Sequence, residues 1–269
     1  MTLLATQDLT VRFGGHIAVN AVTCSFEPGT LTAIVGPNGA GKTTYFNLIS
    51  GQLAATAGKV TLGGRELSGL SASQRTRAGL GRAFQLTNLF PRLTVLENVR
   101  LAVQAAREGK HRRGLNLWSI WSDHRALTEG AQEILRTVAL SAKADELVAN
   151  LPHGDQRKLE VALLMALDPQ VFMFDEPTAG MNTAEAPVIL DLIRRLKADK
   201  TKTILLVEHK MDVVRELADR IIVLHNGQLV ADGKPAEVIA LPVVQEAYLG
   251  VSPQDASSLP PQAGRSEQP

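Results

Sequence analysis

Gly36-Pro37-Asn38-Gly39-Ala40-Gly41-Lys42-Thr43 is the stretch on which the fold turns. A short apolar run, Leu31 to Val35, precedes it, and a helical pattern from Lys42 to Ser50 follows. Strand, glycine-rich loop and helix open an α/β unit. The loop matches G-x-x-x-x-G-K-S/T without a mismatch, a pattern that cradles phosphate. Its glycines permit backbone approaches that a Cβ would block. The loop amides can then turn inward as a nest for phosphate oxygens, with the positive end of the next helix behind them. Lys42 adds a point charge suited to the β- and γ-phosphates, and the Thr43 hydroxyl suits Mg²⁺. The stretch alone predicts a nucleoside triphosphate as ligand. Gly36, Pro37, Asn38, Gly39, Ala40, Gly41, Lys42, Thr43 and Thr44 are its candidate contacts.

Upstream, Leu9, Val11 and Phe13 alternate with polar residues, Gly14-Gly15 marks a turn, and residues 17 to 26 continue extended. Downstream, residues 93 to 167 carry almost only helical signals, with apolar stripes over 94–106, 126–140 and 159–166. Strands then return at 171–174, 203–207 and 221–224, with helices predicted over 182–196 and 211–218. Such alternation predicts a largely parallel sheet covered on both faces. The strand at 171–174 runs into Asp175 and Glu176, and the strand at 203–207 into Glu208 and His209. Unpaired carboxylates are costly to bury, so acids at the end of an apolar strand ask for a reason. Ligands of open parallel sheets lie at the carboxyl ends of the strands. Asp175 is therefore expected near the metal, Glu176 as the base that polarises the attacking water, and His209 on the same edge, positioning that water. Gln85 could ligate Mg²⁺ or hold water through its amide oxygen.

Composition narrows the class. The chain has 269 residues, 45% of them hydrophobic, enough for a substantial core. Lys plus Arg is 28 and Asp plus Glu 27, a net charge of +1, which argues against a general electrostatic binder of nucleic acid. A lone cysteine, Cys24, excludes an intrachain disulfide. No apolar run reaches the ~18 residues that a membrane helix needs, and the N-terminus lacks the pattern of a secretory signal. A soluble, intracellular chain is expected. The basic run at 107–113 reads as a solvated loop, Trp118 and Trp121 as local packing, and residues 251–269, rich in Pro, Ser and Gln, as a disordered tail.

Taken together, these residues resemble the ATP-binding subunit of ABC transporters, over residues 3 to 250. Residues 36–43 resemble the Walker A loop, Gln85 the Q-loop glutamine, and His209 the switch histidine. Leu151-Pro-His-Gly-Asp-Gln156 stands in the place of the signature motif, and Phe13 where the family keeps an aromatic residue to stack on adenine. The resemblance implies ATP with Mg²⁺, and a P-loop core (3–92 and 168–250) with an N-terminal antiparallel β-subdomain and an inserted helical subdomain (93–167). It also implies that Gly154 meets the nucleotide of a second, homologous ATPase subunit in trans. The Gly-Asp-Gln-Arg-Lys-Leu-Glu run, Thr178-Ala-Gly-Met-Asn182 and the ending Val-Val-Gln-Glu-Ala-Tyr-Leu-Gly250 are similar to ATPases of branched-chain amino acid importers. Two membrane permease subunits, a solute-binding protein reached through them, and a place on the cytoplasmic face of the plasma membrane are what this implies. A urea importer, a lipopolysaccharide-export ATPase and a soluble nucleic-acid-associated ATPase are the alternatives.

One departure stands out. Pro152 occupies the place of the signature serine and offers neither a hydroxyl nor an N–H. A proline there pre-sets a helix start, so the fold should be unharmed. The expected consequence is asymmetry, with the ATP that faces Pro152 turned over more slowly.

Overall fold

The computed structural model describes residues 3–83, 89–110, 120–181 and 185–249. Gln85, Trp118, Asn182 and residues 250–269 lie outside the described residues, as does the side chain of Trp121. Two sheets frame the molecule. The first is antiparallel, ordered β2-β1-β4-β5, from β1 (Leu4–Phe13), β2 (His16–Phe26), β4 (Ala57–Leu62) and β5 (Arg65–Glu66). The β1–β2 hairpin turns at Gly14-Gly15 and pairs Phe13 with His16. The other edge of β1 takes β4, pairing Leu4 with Leu62 and Thr6 with Val60. Residues 57–66 were not expected as strands.

The second sheet is ordered β10-β9-β3-β8-β7-β6. It contains β3 (Leu31–Val35), β6 (Leu80–Ala83), β7 (Val171–Asp175), β8 (Thr203–Val207), β9 (Arg220–His225) and β10 (Gln228–Gly233). All pairs are parallel except β9–β10. β3 and β8 are buried along their whole length, as strands covered on both faces must be. One face packs with α1 (Lys42–Ser50) and the antiparallel sheet, through Phe26, Ile34, Tyr45, Phe46 and Leu205. The other face joins the helical layer of α3 (Val95–Lys110), α4 (Ile120–Thr137) and α5 (His153–Leu167), and α6 (Ala186–Ala198), through Val99, Leu135, Leu159, Phe174, Ile193 and Leu206. The fold is thus an α/β P-loop core with a β-subdomain and a helical subdomain.

Helix starts have local causes. Thr94 and Glu97 reciprocally cap α3: the Glu97 amide donates to Thr94 Oγ1 at 3.1 Å, and the Thr94 amide to Glu97 Oε2 at 2.7 Å. That pairing holds the Glu97 carboxyl below its ordinary range. α3 extends to Lys110, so the basic run begins in a helix rather than in a loop. Pro152 is the N-cap of α5, at φ −56°, and its carbonyl accepts from Asp155 and Gln156. α2 (Ala72–Arg77), α7 (Met211–Leu217), α8 (Pro235–Ile239) and α9 (Pro242–Leu249) complete the described α-helices. Among the described residues no helix is long and apolar enough to cross a membrane.

Candidate nucleotide site

The parallel register brings the chemistry to one edge. Ile34 pairs with Val207, and Asp175 also pairs with Val207, so the loop after β3 and the ends of β7 and β8 emerge side by side. Gly36 leaves β3 where a Cβ would stand 2.1 Å from the Leu224 carbonyl oxygen. Gly41, the N-cap of α1, has φ 96° and would bring a Cβ within 2.6 Å of the Ala18 carbonyl oxygen. Both positions admit only glycine. The turn before α1 therefore presses against β2 and β9, and the helix N-terminus faces outward from the sheet edge.

A cleft of about 280 Å³ opens there, lined by residues 38–44, His16, Ala18 and Glu176. Lys42 is buried, and its Nζ donates to the Gly36 and Pro37 carbonyls at 2.6 and 2.9 Å. Burial lowers its pKa, against the pull of Glu176 and Asp175 in the other direction. Glu176 has φ 47°, a left-handed conformation that costs a non-glycine residue of order 1–3 kcal/mol. Its amide donates to the Val207 carbonyl at 2.9 Å, which fixes the turn that sends its side chain into the cleft. His209 Nδ1 lies 4.0 Å from Glu176 Oε1 and 3.5 Å from Glu208 Oε2. Asp175 is nearly buried, and its Oδ2 accepts from Arg82 Nη2 at 2.7 Å. The other oxygen takes no hydrogen bond from a described residue.

The structure thus brings together Asn38 to Thr44, Glu176 and His209, with Asp175 behind them. Phe13 is half exposed at the end of β1, next to His16, and does not line the cleft. Gly154 is in the first turn of α5, buried against Glu185 and outside the cleft. Gln85 is outside the described residues. Sequence reasoning assigned no role to five residues at the site, His16, Ala18, Arg82, Thr178 and Glu208. His16 lines the cleft, and the hairpin register opposite Phe13 was the signal that could have found it. Arg82 holds Asp175. Glu208 is fully buried, and accepts from the Thr178 hydroxyl at 2.9 Å and from the His209 and Lys210 amides at 2.8 and 3.2 Å. Through Glu208, Thr178 in the turn after β7 is tied to the turn after β8.

The donors fit a hard cation bound together with phosphate. Among the described residues no three His, Cys, Asp or Glu side chains gather as a metal cage. Oxygen donors of the Thr43 and Asp175 kind, completed by phosphate oxygens and water, are the set that Mg²⁺ favours.

The sequence pattern of the family described as "ABC transporter" matches residues 19–179, which span the loop, the helical layer and both acids. The chain belongs to the ABC transporter family. It is 39% identical over 249 residues to the high-affinity branched-chain amino acid transport ATP-binding protein LivG of Salmonella typhimurium, covering 92% of this chain and 98% of that protein. Over 250 residues it is 34% identical to a probable branched-chain amino acid transport ATP-binding protein of Archaeoglobus fulgidus, covering 93% and 96%. Among solved structures, the ADP conformation of an ATP-binding cassette of an ABC transporter superposes with a TM-score of 0.77 at 29% identity, covering 93% of this chain and 100% of that one. The edge that carries the P-loop thus falls within the span that matches an ATP-binding cassette.

Proposed function

We propose that this chain hydrolyses ATP to drive an importer of branched-chain or related amino acids. The observation that carries the reading is the convergence of the P-loop, the Asp175-Glu176 turn and the Glu208-His209 turn on one sheet edge. The amino acid class is supported by the LivG relatives, whose likeness runs through nearly the whole chain.

In this reading the loop amides and Lys42 hold the β- and γ-phosphates. Lys42 exchanges its two carbonyl contacts for phosphate oxygens, which offset its burial better because they are charged. Thr43 and Asp175, with Gln85, would hold Mg²⁺, which when bound neutralises charge on the transferring phosphate. Glu176 accepts the proton of the attacking water, and its strained turn aims it there before any ligand arrives. His209 keeps that water aligned, and Glu208 holds the turn that carries His209. Phe13 stacks on adenine, with His16 beside it. The second clamp on the nucleotide is the α5 N-terminus of a homologous ATPase subunit, Gly154 acting in trans. The two subunits close around ATP, residues 93–167 carry that movement to two membrane permease subunits, and the chain works as a peripheral protein on the cytoplasmic face of the membrane.

Calorimetry on the full chain tests the core of this. Mg²⁺-dependent ATP binding is expected, and its absence in folded protein would overturn the reading. Glu176→Gln is expected to keep that binding while hydrolysis falls by 10²-fold or more; brisk turnover by the variant would remove Glu176 as the base. Copurification of a sister ATPase and two membrane subunits checks the assembly, and the ligand of the accompanying binding protein names the solute.

A further inference from the structure

Arg82, in β6, lies between the two elements that the nucleotide site needs at a fixed separation, α1 and the end of β7. Only 6% of its side chain is exposed, and 9% of that of Asp175. Nη2 donates to Asp175 Oδ2 at 2.7 Å. Nη1 reaches Asn47 Oδ1, Ser50 Oγ and Gln52 Oε1 at 2.7, 2.8 and 2.9 Å. The guanidinium carbon stands 5.0 Å from the centre of the Phe46 ring. Asp175 is the one anion in this set; the other partners are neutral. A guanidinium stays charged even when buried. The acid assigned to the metal therefore already has a fixed cation on one oxygen, held in place by the helix that carries Lys42 and Thr43.

We propose that Arg82 is a positioning residue that sets how strongly Asp175 draws the divalent cation: the guanidinium and Mg²⁺ share one carboxylate, and each weakens the hold of the other. The inference rests on the reading of Asp175 as the acid beside the metal. It gives the site a definite character. With Arg82 in place, Asp175 is neutralised within the protein and has little pull on free Mg²⁺. The metal is then taken up together with the triphosphate, whose own charge outweighs the repulsion.

The test is a Mg²⁺ series for binding of a non-hydrolysed ATP analogue to the full chain, followed by calorimetry. Arg82→Gln is expected to lower the half-saturating Mg²⁺ about tenfold, the scale on which one charge within 4–6 Å acts. Arg82→Lys keeps a cation facing Asp175 and should stay within about threefold of wild type. In an Asp175→Asn background the Arg82→Gln shift should vanish. An unchanged or raised Mg²⁺ requirement in Arg82→Gln would overturn the proposal. Should that variant fail to fold, arginine side-chain NMR of the wild-type protein decides. The Arg82 resonance is expected to move on adding nucleotide with Mg²⁺ and to stay in place with nucleotide and chelator, and no metal-dependent movement overturns the inference. A wild-type protein whose nucleotide binding ignores Mg²⁺ would instead bring down the functional reading, and this inference with it.

Discussion

Gly36 illustrates how little freedom single residues have at this edge. A Cβ on it would stand 2.1 Å from the Leu224 carbonyl oxygen, a backbone atom that cannot move without pulling β9. Gly36→Ala is expected to weaken ATP binding at least tenfold, with a lower melting temperature, measured by calorimetry and thermal denaturation. Wild-type affinity in that variant would mean that the loop relaxes freely. Glu208 is constrained differently. Its carboxylate is fully buried and takes three donors, two of them backbone amides. Glu208→Ala removes the acceptor of these donors, at about 1–3 kcal/mol for the buried Thr178 hydroxyl if no water replaces the carboxylate. Because His209 and Thr178 lose their shared anchor, kcat is expected to fall more than tenfold while ATP affinity stays within about threefold. Equal losses in both would reduce Glu208 to a purely structural role.

At the scale of elements, α1 is the helix whose N-terminus opens on the P-loop cleft, and its other end is also specified. Arg75 from α2 is buried, and its Nη1 donates to the Leu48 and Ile49 carbonyls at 2.7 and 2.8 Å. Its Nε and Nη2 hold Leu70 and Ser68 carbonyls at 3.1 and 3.0 Å. The last carbonyls of a helix are its negative pole, so a cation there is favourable. It also satisfies acceptors that no amide within the helix can reach. Arg75→Met keeps much of the volume and removes the donors. We expect it to cost about 3 kcal/mol in chemical denaturation. A loss under about 1 kcal/mol would show that water serves those carbonyls equally well.

At the scale of the whole molecule, the proposed function has the site completed by a second subunit. Pro152 caps α5 with backbone geometry alone, exposed and with no hydrogen to donate. In the assembled transporter, Pro152→Ser is expected to raise ATP turnover several-fold, because a hydroxyl and an amide return to the face proposed to meet the partner's nucleotide; unchanged turnover would end the asymmetry idea. How far such features could be read in advance depends on their range along the chain. The P-loop, the acids after β7, the histidine after β8, the three long helices and the buried strands were legible, since each announces itself within a few neighbouring residues. Residues 57–66 were not, because these short strands are specified by pairing, β4 with β1 and β5 with β4, rather than by a pattern of their own. Arg82 on Asp175 and Arg75 on α1 were equally hidden, as each joins segments tens of residues apart. The sequence alone determined which chemistry this protein carries, through glycines, a lysine and carboxylates at telling spacings. The tertiary structure alone decided which charges neutralise one another, because ion pairing depends on distance in space, and that is settled only when the sheet closes and water is expelled.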